Sequence, residues 1–313
     1  MAAILSRVRH DTVPTTRSST TEPAWVRWLL ILVTVGFISL FLVLPLAAVF
    51  FKAFEKGVGP YFATFQDNPP YAVKSILLTL KAAAIAVPAN LVFGLAAAWA
   101  ITKFRYKGKS LLVTVLDLPF AISPVIAGLI FILIFSRTHG WLGQAMRWEG
   151  PITGHIAAWL HYIDENIVSL KIIFAFPGIA LATVFITLPF IARELVPTMQ
   201  AHGRDEEHAA LTLGASGWRT FLTVTLPNVR WALFYGIILC NARAMGEFGA
   251  VAVVSGNIRG QTTTMPLYIE MLYHGHDKDV DAFTLASLLA LLALLTLVLK
   301  NIVEWRVAKS RQS

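Results

Sequence analysis

Six stretches of this 313-residue chain, 29–51, 75–101, 111–135, 172–192, 231–254 and 283–299, are each long and apolar enough to cross a lipid bilayer. Spanning the hydrocarbon as a helix takes about 20 apolar residues at about 1.5 Å per residue. The last run is short, but Lys300-Asn301-Ile302-Val303 extends it and the lysine can snorkel to the interface. Pro45, Pro88, Pro119, Pro124, Pro177 and Pro189 interrupt the runs. Bundled membrane helices tolerate such breaks because their neighbours satisfy the freed carbonyls. Charged residues make up 14% of the chain, against about 25% in a soluble domain, so the apolar excess belongs in lipid. The predicted fold is an all-α integral membrane bundle of six transmembrane helices over 29–303, with a tail at 304–313. Ahead of it, 1–28 is a disordered arm, rich in Ser, Thr and charge from Arg7 to Glu22. The first apolar run is too long and too far in for a secretory signal, and reads as a start-transfer helix that stays.

Basic residues set the orientation. With the N-terminus inside, the inward segments 1–28, 102–110, 193–230 and 300–313 hold 16 Lys/Arg in 89 positions. The outward segments 52–74, 136–171 and 255–282 hold 8 in 87. That bias follows the positive-inside rule and puts both termini in the cytoplasm. The net charge of +8 therefore reflects topology, and nucleic acid is not an expected partner. The one cysteine, Cys240, permits no intrachain disulfide and reads as a packing residue. The histidines show no ligand spacing on one helix, so no metal site is expected. No tandem repeat of fixed period is present.

The inward segment 193–230 is long for a connector. From Asp205 to Phe221 it reads as helical: Asp205, Glu206 and Glu207 match the positive end of a helix dipole, and Ala209, Ala210, Leu211 and Leu213 follow. Gly214 fits the left-handed position that ends a helix. Trp218, Phe221 and Leu222 then form a compact apolar face on a second short helix, and Pro227-Asn228 marks the return to the membrane.

His208-Ala209-Ala210, then Gly214, then Val224-Thr225-Leu226-Pro227 resembles the cytoplasmic-loop motif of permease subunits of binding-protein-dependent ABC importers. The family pattern is Glu-Ala-Ala, three residues, Gly, nine residues, Ile-x-Leu-Pro. The spacing is intact here, but His208 stands where the family has Glu, with Glu206 and Glu207 just before it. Any ion pair made by the family's glutamate is therefore in question. The resemblance implies a coupling helix that docks in a groove of an ATP-hydrolysing subunit, with small alanines for close approach and the glycine for the turn. Leu116-Asp117-Leu118-Pro119-Phe120-Ala121-Ile122-Ser123-Pro124 and Asn241 to Ala250 resemble sulfate and molybdate permeases. Ser255-Gly256-Asn257-Ile258-Arg259-Gly260-Gln261-Thr262, with Met265-Pro266-Leu267 and Ile269-Glu270, resembles the W-type permeases of the sulfate/thiosulfate branch. Together these cover about 29–306.

The resemblance implies a type I ABC importer permease fold in a bacterial inner (plasma) membrane. It also implies a second related permease, two ATPase subunits carrying ATP and Mg, and a periplasmic binding protein that delivers sulfate or thiosulfate. The chain itself would be a non-catalytic subunit that binds no cofactor. It carries no Gly-x-x-x-x-Gly-Lys-Ser/Thr phosphate loop.

Arg243 and Glu247 fall inside the fifth run, four residues apart on one predicted helix face. Gly236, Cys240 and Ala250 continue that stripe, and Gly246 and Gly249 flank it, so other helices can come close. Two readings stand: Arg243 supplies positive potential to a passing oxyanion, or the pair neutralises itself and locks packing or a gate. Rapid release argues against a deep dedicated guanidinium. Asp117 is a weaker candidate, placed to cap a broken helix before Pro119 or to pair with Lys109. Thr262 and Thr263, with Thr264, are weaker still: outer-loop hydroxyls that meet an oxyanion or a docking binding protein. Trp141, Trp148, Trp159 and Tyr162 form an outer aromatic cluster.

Three other readings compete. Molybdate or another oxyanion would keep the ABC architecture. An ion-gradient-driven secondary transporter would explain buried charges but not the coupling loop, and paired inverted repeats are not evident. An intramembrane serine protease needs a histidine within the spans, and the histidines fall outside them.

Overall fold

The computed structural model describes residues 23–66, 70–136, 172–275 and 279–310. The arm from Arg7 to Glu22 and the aromatic cluster Trp141, Trp148, Trp159 and Tyr162 lie outside them. Among the described residues there is no strand.

Two compact units divide the chain at Ala48. The first contains α1 (Ala24–Ile38), a π-turn (Ser39–Val43) and the start of α2 (Leu44–Ala53). The second begins at Val49 and holds α3 (Val58–Ala63), α4 (Tyr71–Lys103), α5 (Lys109–Ala121), α6 (Pro124–Phe135) and α7 (Phe176–Ala201). There follow α8 (Asp205–Thr212), α9 (Gly217–Thr220), a second π-turn (Phe221–Thr225), α10 (Leu226–Met245), α11 (Gly249–Ser255), α12 (Met265–Tyr273) and α13 (Asp279–Ser310). Both π-turns end two residues before a proline, Pro45 or Pro227. Proline has no N–H and its ring crowds the carbonyl four residues back, so a widened turn absorbs the mismatch without ending the helix.

Among the described residues, five helical runs are long and apolar enough to cross a membrane: Ala24–Ala53, Tyr71–Lys103, Phe176–Ala201, Gly217–Met245 and Asp279–Ile302. The third expected span, 111–135, is not one straight helix. It breaks at Ile122-Ser123 into α5 and α6, which are bent by 112° at the break, and counts as a sixth span only as a bent pair. Pro124 disfavours helical geometry at Ser123 and sits at the first position of α6, where its missing N–H costs nothing. Pro119 stays inside α5. The expected fifth span, 231–254, also breaks, at Gly246-Glu247-Phe248 between α10 and α11. Pro227 does not begin a new helix, because the helical run already starts at Gly217. The expected tail 304–313 continues α13 as far as Ser310.

Helix α4 seats the centre of the second unit. Ala82, Ala86, Asn90, Gly94 and Ala98 recur every four residues along its buried face, a small-residue stripe of the kind that lets membrane helices approach closely. Ile191 of α7 fills the resulting notch. A Cβ on Gly94 would lie 3.0 Å from Ile191 Cβ, and one on Gly236 of α10 would lie 3.1 Å from Ile191 Cα. Three helices therefore meet at one isoleucine. Beside it, Asn90 Nδ2 donates to Thr187 Oγ1 at 2.7 Å and to the Val184 carbonyl at 3.2 Å. Cys240, fully buried, lies 3.9 Å from the Thr187 carbonyl. Thr187 in turn bonds the Thr183 carbonyl at 2.7 Å.

Candidate functional site

The segment between α7 and α10 folds into an elbow. Asp205, Glu206 and Glu207 occupy the first turn of α8, where its exposed N–H groups favour negative charge. The helix ends in a Schellman motif: Gly214 N–H donates to the Leu211 carbonyl and Ala215 N–H to the Ala210 carbonyl, both at 3.0 Å. That closure needs a left-handed residue, and Gly214 supplies it with φ +87°. Ser216 then caps α9, its hydroxyl accepting from Arg219 N–H at 3.3 Å.

The elbow has an apolar outer side and a polar inner side. Leu213 is 88% exposed and Trp218 65%, with Leu211, Leu222, His208 and Ala209 also exposed. The expected compact face of Trp218, Phe221 and Leu222 is split. Phe221 turns inward, its ring 4.8 Å from that of Trp99 on α4, and Trp218 stacks on its outer side at 5.5 Å. Ala210 and Leu226 are half-buried, and Pro227 is exposed.

On the inner side Glu207 points into the bundle, while Glu206 stays exposed. Glu207 accepts from Thr225 Oγ1 at 2.6 Å and lies 3.0 Å from Lys103 Nζ, with both charged side chains mostly shielded. Lys103 Nζ also donates to the Gly203 carbonyl at 2.5 Å. Glu206 accepts from Asn228 Nδ2. Arg204 Nη2 donates to the Thr102 carbonyl at 2.8 Å, one of the carbonyls that the end of α4 leaves without a helical partner. Sequence reading missed Lys103, Arg204, Thr225 and Asn228 as members of this cluster.

Arg243 and Glu247 are brought together, with Nη1 2.5 Å from Oε2, but not along one helix face. Arg243 is in the last turn of α10 and Glu247 in the break after it. Glu247 is buried, and its Oε1 accepts from Ala250 N–H at 3.1 Å, at the start of α11. Each charge thus sits at the helix end whose dipole favours it, and they neutralise each other across the gap. The stripe from Gly236 through Ala250 does not run along a single helix.

Asp117 neither caps a helix before Pro119 nor pairs with Lys109. Its Oδ1 accepts from Arg193 Nη2 at 2.9 Å and Nε at 3.1 Å, and the guanidinium lies 4.2 Å over the Phe120 ring. Thr262 and Thr263 are not solvated loop residues. Both are buried, and their hydroxyls tie the loop to itself. Thr262 donates to the Ser255 carbonyl at 2.7 Å and accepts from Ile258 N–H at 3.0 Å, while Thr263 donates to the Ile258 carbonyl at 2.9 Å. Buried Thr264 precedes α12.

A cavity of about 620 Å³ opens between the end of α10, α12 and α13, lined by Ala242, Gly246, Phe248, Ala286 and Ala290 among others. Glu270 is its one charged lining residue. Carbon walls and a carboxylate make it a poor host for an anion, which must exchange its hydration for donors or positive charge.

Residues 90–310 match the model of the family described as "Binding-protein-dependent transport system inner membrane component". The chain is 44% identical over 307 residues to the sulfate transport system permease protein CysW of Escherichia coli K12, covering 98% of this chain and 95% of that one. Identity to the sulfate transport system permease protein CysT of the same strain is 34% over 266 residues, 83% of this chain and 88% of the relative. Among solved structures, a bacterial alginate ABC transporter in complex with an alginate pentasaccharide-bound periplasmic protein superposes with TM-score 0.70 at 17% identity. That match covers 91% of this chain and 96% of the other.

Proposed function

The chain belongs to the inner-membrane components of binding-protein-dependent transport systems, and from that premise we propose that it is the W-type permease subunit of an ATP-driven sulfate and thiosulfate importer. The observation that carries the substrate class is the 44% identity to a CysW along 98% of the chain, and the lower 34% identity to a CysT along 83% favours the W-type assignment. In this reading a second, T-type permease completes the pathway across a bacterial inner membrane, and both termini face the cytoplasm. A periplasmic binding protein delivers the anion. Two ATPase subunits, holding the ATP and Mg, grip the coupling loops of the two permeases, this chain's elbow among them. This chain performs no chemistry and holds no cofactor.

The elbow's build supports that role. Leu213 and Trp218 offer exposed apolar surface, and the small, exposed Ala209 allows a groove to close around α8. The Gly214 turn fixes the angle between α8 and α9. The residues assigned to docking and its support are Glu206, Glu207, His208, Ala209, Ala210, Gly214, Leu226 and Pro227. With His208 in place of the family's glutamate, docking relies on apolar contact rather than on an ion pair from that position. Closure of the ATPases pushes on 205–221 and tilts the bundle from inward-open to outward-open, and the binding protein then releases its anion. Arg243, already neutralised by Glu247, acts as a lock between α10 and α11 rather than as an anion trap. Weak binding along the pathway is what conduction requires.

The test is uptake of radiolabelled sulfate, thiosulfate and molybdate by vesicles holding both permeases, the ATPase and the binding protein. ATP-dependent uptake of sulfate and thiosulfate is expected, with none by this chain alone. Uptake driven by an ion gradient without ATP would overturn the assignment, and molybdate preference would move it to another oxyanion.

A further inference from the structure

Elbow movement is useful only if it reaches the helices, and besides its chain link to α7 and the Glu206–Asn228 bond to α10 the elbow meets the bundle in two ways. One is covalent: α9 runs through the π-turn into α10. The other is a cross-link to the end of α4, made by residues far away in sequence. Lys103, the last residue of α4, pairs with Glu207 at 3.0 Å and holds the Gly203 carbonyl at 2.5 Å. Arg204 closes on the Thr102 carbonyl at 2.8 Å, and the Phe221 ring sits on Trp99. Glu207 also takes the Thr225 hydroxyl, so one carboxylate joins α8, the end of α4 and the turn that leads into α10.

We infer that the Lys103–Glu207 pair is a strut that carries the ATPase stroke from the elbow into α4. The inference rests on the reading above that the elbow receives the ATPase. Its warrant is geometric. Lys103 and Glu207 side chains are only 9% and 15% exposed, so water screens the pair far less than a surface salt bridge. Helix α4 is also the right receiver. Its small-residue face holds α7 through Gly94 and Ile191, so displacing its end shifts a packed pair of helices rather than one loose segment. Glu207 therefore differs in task from its neighbour His208. The histidine is exposed, while the glutamate turns inward and makes the elbow rigid with the bundle. Lys103 and Glu207 are positioning residues, because neither touches the transported anion.

The decisive variant is Lys103→Cys with Glu207→Cys, in the complete transporter reconstituted in vesicles. Cys240 is fully buried and need not be replaced. Anion carried per ATP hydrolysed is measured before and after bridging the two thiols with a short, reducible bis-methanethiosulfonate linker. Without the linker the ratio is expected to fall about tenfold, within the range usual for coupling between sites. With the linker it should return toward the unmodified transporter's ratio, and fall again on reduction. A merely structural pair would not respond reversibly in one folded protein. Lys103→Met, which removes the charge and keeps the stem, should show the same loss if the double variant fails to assemble. Normal coupling in the unlinked double variant, or in Lys103→Met, overturns the strut. So does a linked protein that stays uncoupled. An unmodified transporter that moves anion without consuming ATP would instead refute the underlying functional reading.

Discussion

Replacing Gly214 tests the elbow with a magnitude the geometry fixes. The residue sits at φ +87°, and a Cβ built there would meet nothing within 4 Å. Substitution therefore costs only the backbone penalty of a left-handed L-residue, about 1–2 kcal/mol, with no clash to confuse it. That shifts the local closing equilibrium of the α8–α9 turn by about 5- to 30-fold. The reporters are the two amides that close the turn, at positions 214 and 215, each bonded at 3.0 Å to a carbonyl of α8. In Gly214→Ala their hydrogen exchange should speed up by that factor while amides in α4 and α7 stay unchanged. Gly214→Asn should lose less, because asparagine tolerates the left-handed region. Transport should fall in the same order, with a bulky β-branched residue abolishing it while the protein remains inserted. Equal exchange in all three variants, or normal uptake by the bulky variant, would refute the claim that this turn sets the docking angle.

Glu247→Ala leaves the Arg243 guanidinium without its counter-charge and should cost about 3 kcal/mol, seen as a lower melting temperature of the purified complex. Removing both charges should recover part of that loss, whereas additive losses would show that the two do not act as a pair. Gly94→Val forces its side chain against Ile191 and the Ala192 backbone, 3.0–3.2 Å from the new Cβ. It should cost about 1–3 kcal/mol by overpacking α4 against α7, read as reduced detergent stability. Thr262→Val strands the Ser255 carbonyl and Ile258 N–H and should destabilise the outer loop by about 1–3 kcal/mol. It should leave anion selectivity unaltered, and a change in selectivity would return that threonine to the pathway.

Helix existence was legible because each span needs only length and apolar content, which any window of the sequence displays. The elbow was legible for a related reason. A first turn of acids and a left-handed glycine are local signals, and both act within a few residues. Breaks inside spans were harder. Pro119 and Pro124 look alike in the sequence, yet only Pro124 divides two helices, so neighbouring packing decides which proline is absorbed. The gap at Gly246-Glu247-Phe248 escaped because no proline marks it and the apolar flanks on either side read as one run, so Arg243 and Glu247 were expected on one helix face. Thr262 and Thr263 read from the sequence as outer-loop hydroxyls open to an anion or a docking protein, but they satisfy that loop's own backbone. The partners of the charged residues were the least legible. Asp117 finds Arg193 across 76 positions and Lys103 finds Glu207 across 104. No periodicity or spacing rule reaches that far.

Leu213→Cys offers the most direct test, because Leu213 is the most exposed large apolar residue of the elbow and Cys240 is buried. A membrane-impermeant maleimide is applied to sealed vesicles of known orientation, with and without the ATPase subunits. Labelling from the cytoplasmic side alone, blocked when the ATPase is bound, is the expected outcome. Labelling from the outer side, or labelling indifferent to the ATPase, would contradict an importer driven through this elbow.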